Sequence, residues 1–341
     1  MKGITIIIPA YNEAEVLSRK IENTLQQTGC PLQIIVVTDG STDGSENIAA
    51  GFAGITVLHQ PERQGKAAAI NRAAAEAKHE VLLLTDANTF LNPGAVSAIV
   101  ESLNNPAVGA VCGEKRVQPA RNHHYGESVY WKYESALKKQ ESRSGSVVGA
   151  AGELLVIRKS LFEPIPEEVI LDDFYLSMQV TKKGFCIAYQ PLATATELPP
   201  QNLSDEFTRR TRIAAGVWQW MKKYCSPGLF KHNPFFFWQF FSHRLCRWFI
   251  APVCLVLLIV SGTVLFCAGA GFFYTSVFGA GVLFSLLAVI GALPLFQNHK
   301  PGVFGFPFYF IFTHICLLWG YAGYIRGKHS VLWKKLSRSN G

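Results

Sequence analysis

The sequence predicts an α/β domain with a doubly wound, mostly parallel sheet, followed by an α-helical membrane region. Short runs of Val, Ile and Leu alternate with helix-like stretches over the first hundred residues, which is typical of parallel strands buried between helices. Residues 248–298 contain no Asp, Glu, Lys or Arg, and these 51 residues are long enough for two membrane spans. All 24 acidic residues lie within residues 1–206, so the two parts of the chain differ in charge as well as hydropathy.

Four buried strands and three helices are predicted in the first part of the chain. The strand segments are Ile4–Pro9, Gln33–Thr38, Ile55–His59 and Val81–Thr85, and the helical segments are 13–27, 43–51 and 65–78. The last of these helices is rich in alanine, which favours the helical state. Ligands bind at the carboxyl ends of the strands in such sheets, so we expect function in the residues that follow each strand.

Residues 107–221 are less regular but complete the predicted catalytic domain, which spans residues 1–221. Strands are predicted near 108–113, 154–158 and 185–189, and helices over 126–142, 172–183 and 203–221.

The remainder of the chain has the composition of a membrane region. An aromatic and basic segment at 222–248 predicts an interfacial amphipathic helix, two or three spans are predicted within 249–325 (about 249–269, 275–296 and 303–325), and a basic tail follows at 326–341. Arg244, Arg247 and Lys300 favour the cytosolic side for the start of the first span and for the loop after the second. A third crossing would export the basic tail, so one apolar segment is a candidate for a re-entrant or interfacial position.

The charge distribution favours membrane lipids over nucleic acid as a partner. Residues 207–341 carry 14 Lys and Arg and no acid, whereas residues 1–206 have a net charge of −6. A basic, aromatic region with long apolar runs suits anionic lipid headgroups, while a nucleic-acid binder more often carries its positive charge on a soluble domain. Met1 leads almost directly into a strand, so we expect no signal peptide and a cytosolic catalytic domain.

The eight cysteines show no CxxC spacing and no cluster with histidine. This pattern predicts free, buried thiols in a reducing compartment, with neither a disulfide framework nor a cysteine metal site.

Polar motifs follow three of the predicted strands. The first strand runs into Pro9-Ala10-Tyr11-Asn12-Glu13, the second ends in TDGSTDGS at 38–45, and the fourth ends in Thr85-Asp86-Ala87-Asn88. Each motif alone is also typical of turns and helix caps. Their occurrence at successive strand ends predicts one shared concave site.

With these motifs the chain resembles the family 2 glycosyltransferases of the GT-A fold. The resemblance covers roughly residues 3–221 and rests on PAYNEAE, DGSTDGS, an R-x-G-K-A-x-A-I-N segment at 63–71 and the D-x-D-like DAN. By layout the chain is similar to the membrane-anchored synthases of poly-N-acetylglucosamine, hyaluronan and cellulose. The resemblance implies a Rossmann-like catalytic domain that binds a nucleotide-sugar donor.

The resemblance also implies the residues that bind the donor. They are Pro9, Ala10, Tyr11, Glu13, Asp39, Lys66, Asp86 and Arg212. Asp39 would accept a hydrogen bond from a base N–H such as uracil N3, and Ala10, Tyr11 and Glu13 would line the base and ribose. Lys66 is expected to contact the nucleotide, and a solvated surface lysine is the alternative interpretation.

Asp86 and Asn88 stand in place of two metal-binding aspartates of the family. The resemblance implies Mg²⁺ or Mn²⁺ between the diphosphate oxygens, since these ions favour hard oxygen ligands. Asn88 still offers an amide oxygen but removes one negative charge. We therefore expect weaker metal binding, and metal dependence is left open.

Leu171-Asp172-Asp173-Phe174 matches the Glu-Asp pair of the family. The match implies that Asp173 is the general base that deprotonates the acceptor hydroxyl, with Asp172 on the acceptor side. Capping of the following helix by these two aspartates is the alternative.

Arg209-Arg210-Thr211-Arg212-Ile213 stands where the processive synthases have Q-x-x-R-W. Arg212 aligns with the arginine and would pair with the diphosphate, and Arg209 replaces the glutamine on the diphosphate side. Ile213 replaces a tryptophan that lies by the acceptor sugar in the synthases, which leaves processivity and acceptor type open. Trp218 and Trp220 are candidate substitutes, but as an interfacial pair they favour membrane anchoring.

The resemblance implies that the small-residue segment Gly149-Ala150-Ala151-Gly152-Glu153 lies near the donor sugar and the acceptor, and small residues permit that approach. On this basis Gly152 and Glu153 are assigned to the acceptor side. Glu153 is either an unpaired acid near a sugar or a surface carboxylate.

Together these features predict an inverting glycosyltransferase that is integral to the plasma or inner membrane. It would move a sugar from UDP-GlcNAc or UDP-glucose to a saccharide or lipid-linked saccharide, as in exopolysaccharide synthesis, with accessory polysaccharide-synthesis subunits as candidate partners. One alternative is a single addition to a lipid acceptor such as a polyprenyl phosphate or a ceramide-like lipid. A non-catalytic, nucleotide-binding membrane scaffold is the other, supported by Asn88 in the DAN motif.

Overall fold

The computed structural model describes residues 3–117, 125–197, 202–293 and 302–332. Its first part alternates strands and helices: β1 (Ile4–Ala10), α1 (Ala14–Leu25), β2 (Leu32–Asp39), α2 (Ser45–Ala50), β3 (Ile55–Gln60), α3 (Lys66–Ala75) and β4 (Val81–Leu84). Each of these elements was predicted to within a few residues at either end. The hydrophobic periodicity of the sequence is therefore enough to predict the strands and helices of this half of the domain.

The second part of the catalytic domain contains elements that the sequence did not predict. The chain continues with β5 (Thr89–Leu91), α4 (Ala95–Ser102), β6 (Val108–Val117), α5 (Tyr125–Arg143), β7 (Leu155–Arg158), α6 (Asp172–Lys182), β8 (Cys186–Glu197) and α7 (Leu203–Lys223). β5 and α4 were missed, and β8 extends well beyond the predicted end at residue 189. β5 is too short to show a period of its own, and it pairs antiparallel with the unpredicted end of β8.

The strands of the described chain form one sheet in the order β3-β2-β1-β4-β7-β6-β8-β5. β1 is parallel to both of its neighbours, β2 and β4, and β2 is parallel to β3. β6 and β8 are also parallel, whereas β7 runs antiparallel between β4 and β6. The predicted mostly parallel α/β sheet is confirmed. Because β1, β2 and β4 are parallel neighbours, the motifs after them lie at one edge of the sheet.

Helices cover both faces of this sheet. Every residue of β1 is buried. Ile7 packs on one face together with Ile70 of α3, and Ile6 and Ile8 pack on the opposite face with Leu17 of α1. Successive side chains of a strand point to opposite faces, so a strand without exposed positions is what a sheet covered on both sides requires.

Three helices at the C-terminal end are long and apolar enough to cross a membrane, and they indicate membrane association. They span Pro234–Cys267, Phe272–Ala292 and Gly302–Ile325. The first consists of α8 (Pro234–Gln239), a π-helical segment (Phe240–Ile250) and α9 (Ala251–Cys267), and the others are α10 (Phe272–Ala292) and α11 (Gly302–Ile325). Residues 294–296 of the second predicted span and residues 333–341 of the predicted tail lie outside the described residues.

The predicted interfacial segment at 222–248 continues without a break into the first apolar helix only from Pro234 onward, and it is attached to the catalytic domain. Arg244 donates from Nε to the carbonyl oxygen of Val148 at 2.9 Å. Arg247 forms an ion pair with Glu134 of α5. The two arginines that served as topology signals therefore also fasten the start of the first apolar helix to the catalytic domain.

Trp220 does not anchor the protein in a membrane. Its side chain is 3% exposed, and its ring meets Phe174 edge-on at a centroid distance of 4.9 Å and lies 5.8 Å from Phe240. Trp218 packs against Tyr321 of α11, with centroids 5.4 Å apart. The interpretation of the pair as membrane anchors is wrong for Trp220, because α7 turns this position into the domain core.

All eight cysteines are free, as predicted. Cys112 and Cys316 are buried, but Cys254 and Cys267 are exposed on α9. Burial was wrongly predicted for the latter two, because the apolar surface of α9 faces away from the rest of the described chain.

α7 and α11 pack at very short range. A Cβ atom on Gly320 of α11 would lie 2.4 Å from the carbonyl oxygen of Thr211 and 2.5 Å from the Cβ of Ala214. Further along the same contact, Arg210 donates a hydrogen bond to the hydroxyl of Tyr309. Only glycine allows the two helices to approach this closely at residue 320.

We therefore predict that Gly320→Ala separates α7 from α11 and lowers stability by about 1–3 kcal/mol, the usual cost of overpacking. The measurement is thermal unfolding of the purified protein in detergent. Gly262→Ala on α9 is the matched control, since a Cβ there meets nothing within 4 Å and alanine is the better helix former. Equal melting temperatures for the two variants would contradict the prediction.

Candidate active site

Hydrogen bonds between the first two motifs join the loops that follow β1 and β2. Asn12 has a left-handed backbone (φ 53°), and its Oδ1 accepts a hydrogen bond from the amide of Thr42 at 2.7 Å. The amide of Asn12 donates to Ser41 Oγ at 3.1 Å, and the amide of Ala14 donates to Asp43 Oδ2 at 3.0 Å. The PAYNE and DGSTDGS motifs therefore form a single structural unit at the carboxyl edge of the sheet.

Asp39 at the end of β2 is fully buried and holds the loop that leads into α3. Its Oδ1 accepts from the amide of Gln64 at 3.0 Å, and its Oδ2 accepts from the amide of Gly65 at 2.7 Å. Gly65 has a φ of 101°, a conformation that side chains disfavour. In this conformation Asp39 positions the residue before Lys66, and a base N–H reaches its carboxylate only if the loop at 63–65 moves.

The other predicted donor-binding residues of the first motif are mostly buried at the end of β1. Pro9 is buried, and of the residues predicted to line the base and ribose, Ala10 is 0% exposed and Glu13 is 6% exposed. The Tyr11 ring is covered by Arg63, whose Cζ lies 3.5 Å from the ring centroid. Arg63 and Tyr11 form the outer wall of the predicted nucleotide site.

Lys66 connects carboxylates from two separate parts of the chain. Its Nζ lies 2.7 Å from Asp86 Oδ1, after β4, and 3.3 Å from Asp172 Oδ2, at the start of α6. Burial alone would lower the pKa of Lys66, but the charges of Asp172 and Asp86 outweigh it and raise that pKa above its ordinary value. The interpretation of Lys66 as a solvated surface lysine is therefore wrong.

Asp173 lies beside Lys66 and the small-residue segment. A Cβ atom on Gly152 would be 3.3 Å from Asp173 Oδ2 and 3.4 Å from Lys66 Nζ. Burial, together with the charge of Asp172, raises the pKa of Asp173 to about 7, although Lys66 opposes the shift. Asp173 Oδ1 also accepts the amide of Phe174 at 2.7 Å. Asp173 thus occupies the first turn of α6 and still has an oxygen beside Gly152, so capping does not exclude a chemical role.

Glu153 is neither an unpaired acid nor a surface carboxylate, so both interpretations from the sequence are wrong. Its carboxylate pairs with Lys115 of β6, which also lies 2.6 Å from Glu197 of β8. Burial alone would raise the pKa of Glu153, but Lys115 lowers it to about 2. The pairing of β6 with β8, which sequence periodicity did not reveal, creates this buried cluster. An acceptor-side role for Glu153 stays a prediction.

Arg209 is bound by an acid of its own helix. Its Nε and Nη2 donate to the two carboxylate oxygens of Glu206 at 2.9 and 3.0 Å. Its charge also contributes to the lowered pKa of Glu153. Arg209 therefore lies near the Lys115 cluster, and its diphosphate-side role stays a prediction.

Lys66, Asp86, Asp172 and Asp173 form the Lys66 cluster, and Arg212 lies close to its acids. Its Nη2 donates to the carbonyl oxygens of Ile170 at 3.0 Å and Val331 at 3.4 Å. Its Nε is buried and has no hydrogen-bond partner within the described chain. Burial lowers the pKa of Arg212, against the charges of Asp172 and Asp173, which favour its charged form.

Lys20 is a site-supporting residue that the motif analysis missed. It is fully buried on the inner face of α1, and its Nζ donates to Thr85 Oγ1 at 2.9 Å and to the carbonyl oxygen of Thr89 at 2.5 Å. These two residues flank the DAN motif. Burial lowers the pKa of Lys20 to about 7, against the charge of Asp86. A lysine on the apolar face of a helix was the signal in the sequence that pointed to this role.

Asp86 and Asn88 offer one carboxylate and one amide oxygen to a divalent cation. The Asp86 side chain is 30% exposed, and Asn88 is half-buried. In the described ranges no group of three or more His, Cys, Asp or Glu side chains is arranged to hold a metal ion. Mg²⁺ and Mn²⁺ commonly take one or two protein ligands and complete their shell with phosphates and water. The two residues therefore fit an ion that is shared with a diphosphate.

The mostly parallel sheet, with acidic loops at adjacent strand ends, has the fold of the GT-A glycosyltransferases. The glycosyl transferase family 2 model matches residues 5–165 of this chain. The mannosyltransferase PcManGT from Pyrobaculum calidifontis, in complex with GDP-Man and Mn²⁺, superposes with a TM-score of 0.68. The two chains are 23% identical, and the match covers 93% of this chain and 87% of that chain. This likeness shows that the folds agree.

Curated relatives match over a similar part of the chain. The poly-beta-1,6-N-acetyl-D-glucosamine synthase of Staphylococcus aureus (strain COL) is 26% identical over 226 residues, and that of Staphylococcus epidermidis (strain ATCC 35984) is 25% identical over 226 residues. Each match covers 63% of this chain and 55% of the relative, so the chain spans about half the length of these synthases. The predicted class, a family 2 glycosyltransferase domain with the GT-A fold, is confirmed.

The contacts of Asp39 generate a structural prediction. Asp39→Asn keeps the size of the side chain but replaces one acceptor oxygen with an NH₂ group, which leaves the amide of Gln64 or Gly65 unpaired. An unsatisfied buried amide costs about 1–3 kcal/mol. We expect a lower melting temperature and faster amide hydrogen exchange in the peptide that contains residues 60–66. Glu62→Gln, an exposed change of equal charge in the same loop, is the control, and unchanged exchange in Asp39→Asn would contradict the assignment.

Proposed function

We propose that this protein transfers a sugar, with inversion, from a nucleotide-sugar donor to an acceptor hydroxyl. The observation that carries the proposal is the convergence of Lys66, Asp86, Asp172 and Asp173 beside Gly152 at the carboxyl edge of the sheet. A single displacement needs one base on the acceptor side and positive charge on the side of the leaving diphosphate. The cluster contains both kinds of group, next to a glycine that leaves room for substrates.

In the proposed reaction, Asp173 accepts the proton of the acceptor hydroxyl while the hydroxyl oxygen bonds to C1 of the donor sugar. The bond from C1 to the diphosphate oxygen breaks, and its electron pair leaves with the nucleoside diphosphate. Lys66 and Arg212 offset the negative charge of the diphosphate. One displacement at C1 inverts its configuration. Mg²⁺ or Mn²⁺ held by Asp86 and Asn88 would supply further positive charge to the diphosphate.

The donor we propose is UDP-GlcNAc, with UDP-glucose as the second choice, and the acceptor is a saccharide or a lipid-linked saccharide. The likeness to poly-beta-1,6-N-acetyl-D-glucosamine synthases supports the choice of sugar. The Mn²⁺ in the PcManGT complex supports a divalent cation, and its GDP-Man adds that donor to those that require testing. On this proposal the product belongs to an exopolysaccharide, and other polysaccharide-synthesis subunits are candidate partners.

A single addition to a lipid acceptor is the second candidate function. Ile213, which stands in place of the tryptophan of Q-x-x-R-W, is 37% exposed and offers no aromatic surface to an acceptor sugar. Trp220 does not replace that tryptophan, because its ring is enclosed by Phe174 and Phe240. These observations favour an acceptor that is held by its lipid part, such as a polyprenyl phosphate or a ceramide-like lipid.

The experiment that tests the function is a donor screen with the purified protein in lipid nanodiscs. UDP-GlcNAc, UDP-glucose and GDP-mannose are supplied with Mg²⁺ or Mn²⁺, and products are analysed by mass spectrometry. We expect transfer from one UDP-sugar and a loss of at least a hundredfold in Asp173→Asn, which removes the base. Binding of UDP without turnover by either protein, with any donor, would instead support the non-catalytic scaffold.

The pH dependence of the reaction should report on Asp173. A base acts only when it is deprotonated, so we expect kcat/KM to rise with pH through about 7, the raised pKa of Asp173. Lys66→Gln removes a positive charge that lowers the pKa of Asp173, so the acid limb of the kcat/KM profile should move to higher pH. Asp172→Asn removes a negative charge that raises the pKa of Asp173, so the acid limb should move to lower pH. Lys222→Gln on the exposed side of α7 is the control, and identical acid limbs in all four proteins would exclude Asp173 as the base.

Metal affinity should respond to Asn88. Asn88→Asp adds a negative charge to the proposed site, and we expect it to tighten Mn²⁺ binding in the presence of UDP by about tenfold, because affinity follows ligand charge. Calorimetric titration measures this directly, without turnover. Asn104→Asp, an exposed change of the same kind, should leave Mn²⁺ binding unaltered. Equal Mn²⁺ affinities for Asn88→Asp and the wild type would rule out Asn88 as a ligand.

We further propose that only two of the three apolar helices cross the membrane. Arg247, before α9, pairs with Glu134 of the catalytic domain, and a Cβ on Gly65 would lie 3.3 Å from Leu332, after α11. Both ends of the apolar region therefore adjoin the catalytic domain, which requires an even number of crossings. α9 and α10 each have 6% of their most apolar stretch buried, against 28% for α11. α11, which packs on α7, is therefore the segment at the interface.

This topology accounts for the basic residues on either side of the apolar helices, since all of them then face the cytosol with the catalytic domain. We predict that alkaline phosphatase inserted after Gly269 is active, and that green fluorescent protein fused after Gly341 fluoresces in bacterial cells. Exchanging the two reporters provides the control. Active phosphatase at the C-terminal fusion would show a third crossing.

A further inference from the structure

A cavity of about 300 Å³ lies between α7, the last turns of α11 and the segment that follows them. One wall is formed by Thr208, Arg212 and Ala215 of α7. The other is formed by residues 319–323 of α11 and by the following segment up to Leu332. Apart from Arg212, which is also close to Asp172 and Asp173, the residues that line this cavity do not belong to the proposed catalytic group of Lys66, Asp86, Asp172 and Asp173.

The charged side chains that line this cavity are cationic. Arg212, Arg326 and Lys328 line it together with His329, and none of its lining residues is acidic. Arg326 and Lys328 take part in none of the ion pairs between residues that the structure describes. Arg212 Nε is buried without a hydrogen-bond partner in the described ranges. An unpaired donor among uncompensated cations indicates an anionic ligand.

Most of the remaining lining is apolar, and most of these apolar residues belong to α11. Trp319 and Leu332 contribute large apolar side chains to the lining, whereas Gly320 and Gly323 of α11 have no side chains that would occupy the cavity. α11 continues away from the cavity as an apolar helix. A ligand that fits this surface has an anionic head between the cations and a hydrocarbon chain along α11.

The cavity is connected to the catalytic cluster by two contacts. Arg212 donates to the carbonyl oxygen of Ile170, two residues before Asp172. Leu332 lies against Gly65, the residue before Lys66. A ligand head in the cavity would therefore lie next to the proposed site of transfer, on the side of α7 and α11.

We propose that this cavity binds the phosphate head group of a lipid-linked acceptor, with the lipid chain along α11 and the acceptor sugar directed toward Asp173. The role of the cavity in binding an acceptor rests on the proposed transferase function, but binding of the lipid to the cavity is tested without turnover. Of the proposed acceptors, this assignment selects the lipid-linked saccharide. Arg326, Lys328 and His329 are its head-group contacts, beyond the residues that the donor requires.

The test measures binding to the full-length protein in phosphatidylcholine nanodiscs that contain a fluorescent polyprenyl phosphate. We expect saturable binding to polyprenyl phosphate and none to polyprenol, which lacks the phosphate. The double variant Arg326→Gln/Lys328→Gln should bind polyprenyl phosphate at least tenfold more weakly and UDP as tightly as the wild type. Lys222→Gln, which removes one positive charge from α7 outside the cavity, should bind both ligands normally.

Three results would overturn the assignment. Equal binding of polyprenol would show that the chain alone is recognised, and parallel loss of UDP binding in the double variant would make the cavity part of the donor site. Displacement of the lipid by inorganic pyrophosphate at equal concentration would identify a site for free phosphate. If polyprenyl phosphate binds as expected but no donor is turned over, the lipid site stands and the proposed transferase function fails.

Discussion

The ion pairs of Lys66 are the interaction on which the rest of this site depends. Carboxylates that follow β4 and begin α6 approach one another, and such like charges raise each other's pKa unless a cation lies between them. Lys66 Nζ lies 2.7 Å from Asp86 and 3.3 Å from Asp172. The position of Lys66 depends in turn on Asp39, whose carboxylate holds the amide of the preceding Gly65. A buried aspartate in one strand loop therefore determines the charge balance around Asp173, whose pKa is raised to about 7.

α7 connects this chemistry with the membrane region. Gln219 of α7 accepts the amide of Ile170 at 3.0 Å and donates to the carbonyl of Glu168 at 2.6 Å, so the helix positions the loop that precedes Asp172 and Asp173. On its other side, α7 packs on α11 through the contact at Gly320. A shift of α11 within the lipid interface would be transmitted to the loop before α6 through one rigid helix. This arrangement is consistent with the proposed lipid-linked acceptor, because α7 lies between the proposed site of transfer and the apolar helix α11.

The sequence predicted those elements whose own hydrophobic pattern is enough to identify them. β1, β2, β3 and β4 are rich in Val, Ile and Leu, and the motifs after three of them were expected to meet because parallel strands share one carboxyl edge. β5 and the end of β8 were missed because each is stabilised by the other, and neither has an apolar period of its own. The pairing of Glu153 with Lys115 was missed for the same reason, since it depends on the pairing of β6 with β7, the strand that Glu153 precedes.

By itself the sequence determined the α/β class, the family resemblance, the apolar helices and the identity of the acids that converge at the sheet edge. These properties follow from the composition of each segment and from the order of the segments, and both can be read directly from the sequence. Only the tertiary structure decided that Lys66 is an ion-paired cation, that Trp220 belongs to the core and that Lys20 supports the DAN motif. It also brought Leu332, after the last apolar helix, against Gly65 in the catalytic domain. These properties depend on groups far apart in the chain, whose distances and desolvation exist only once the sheet and helices have packed.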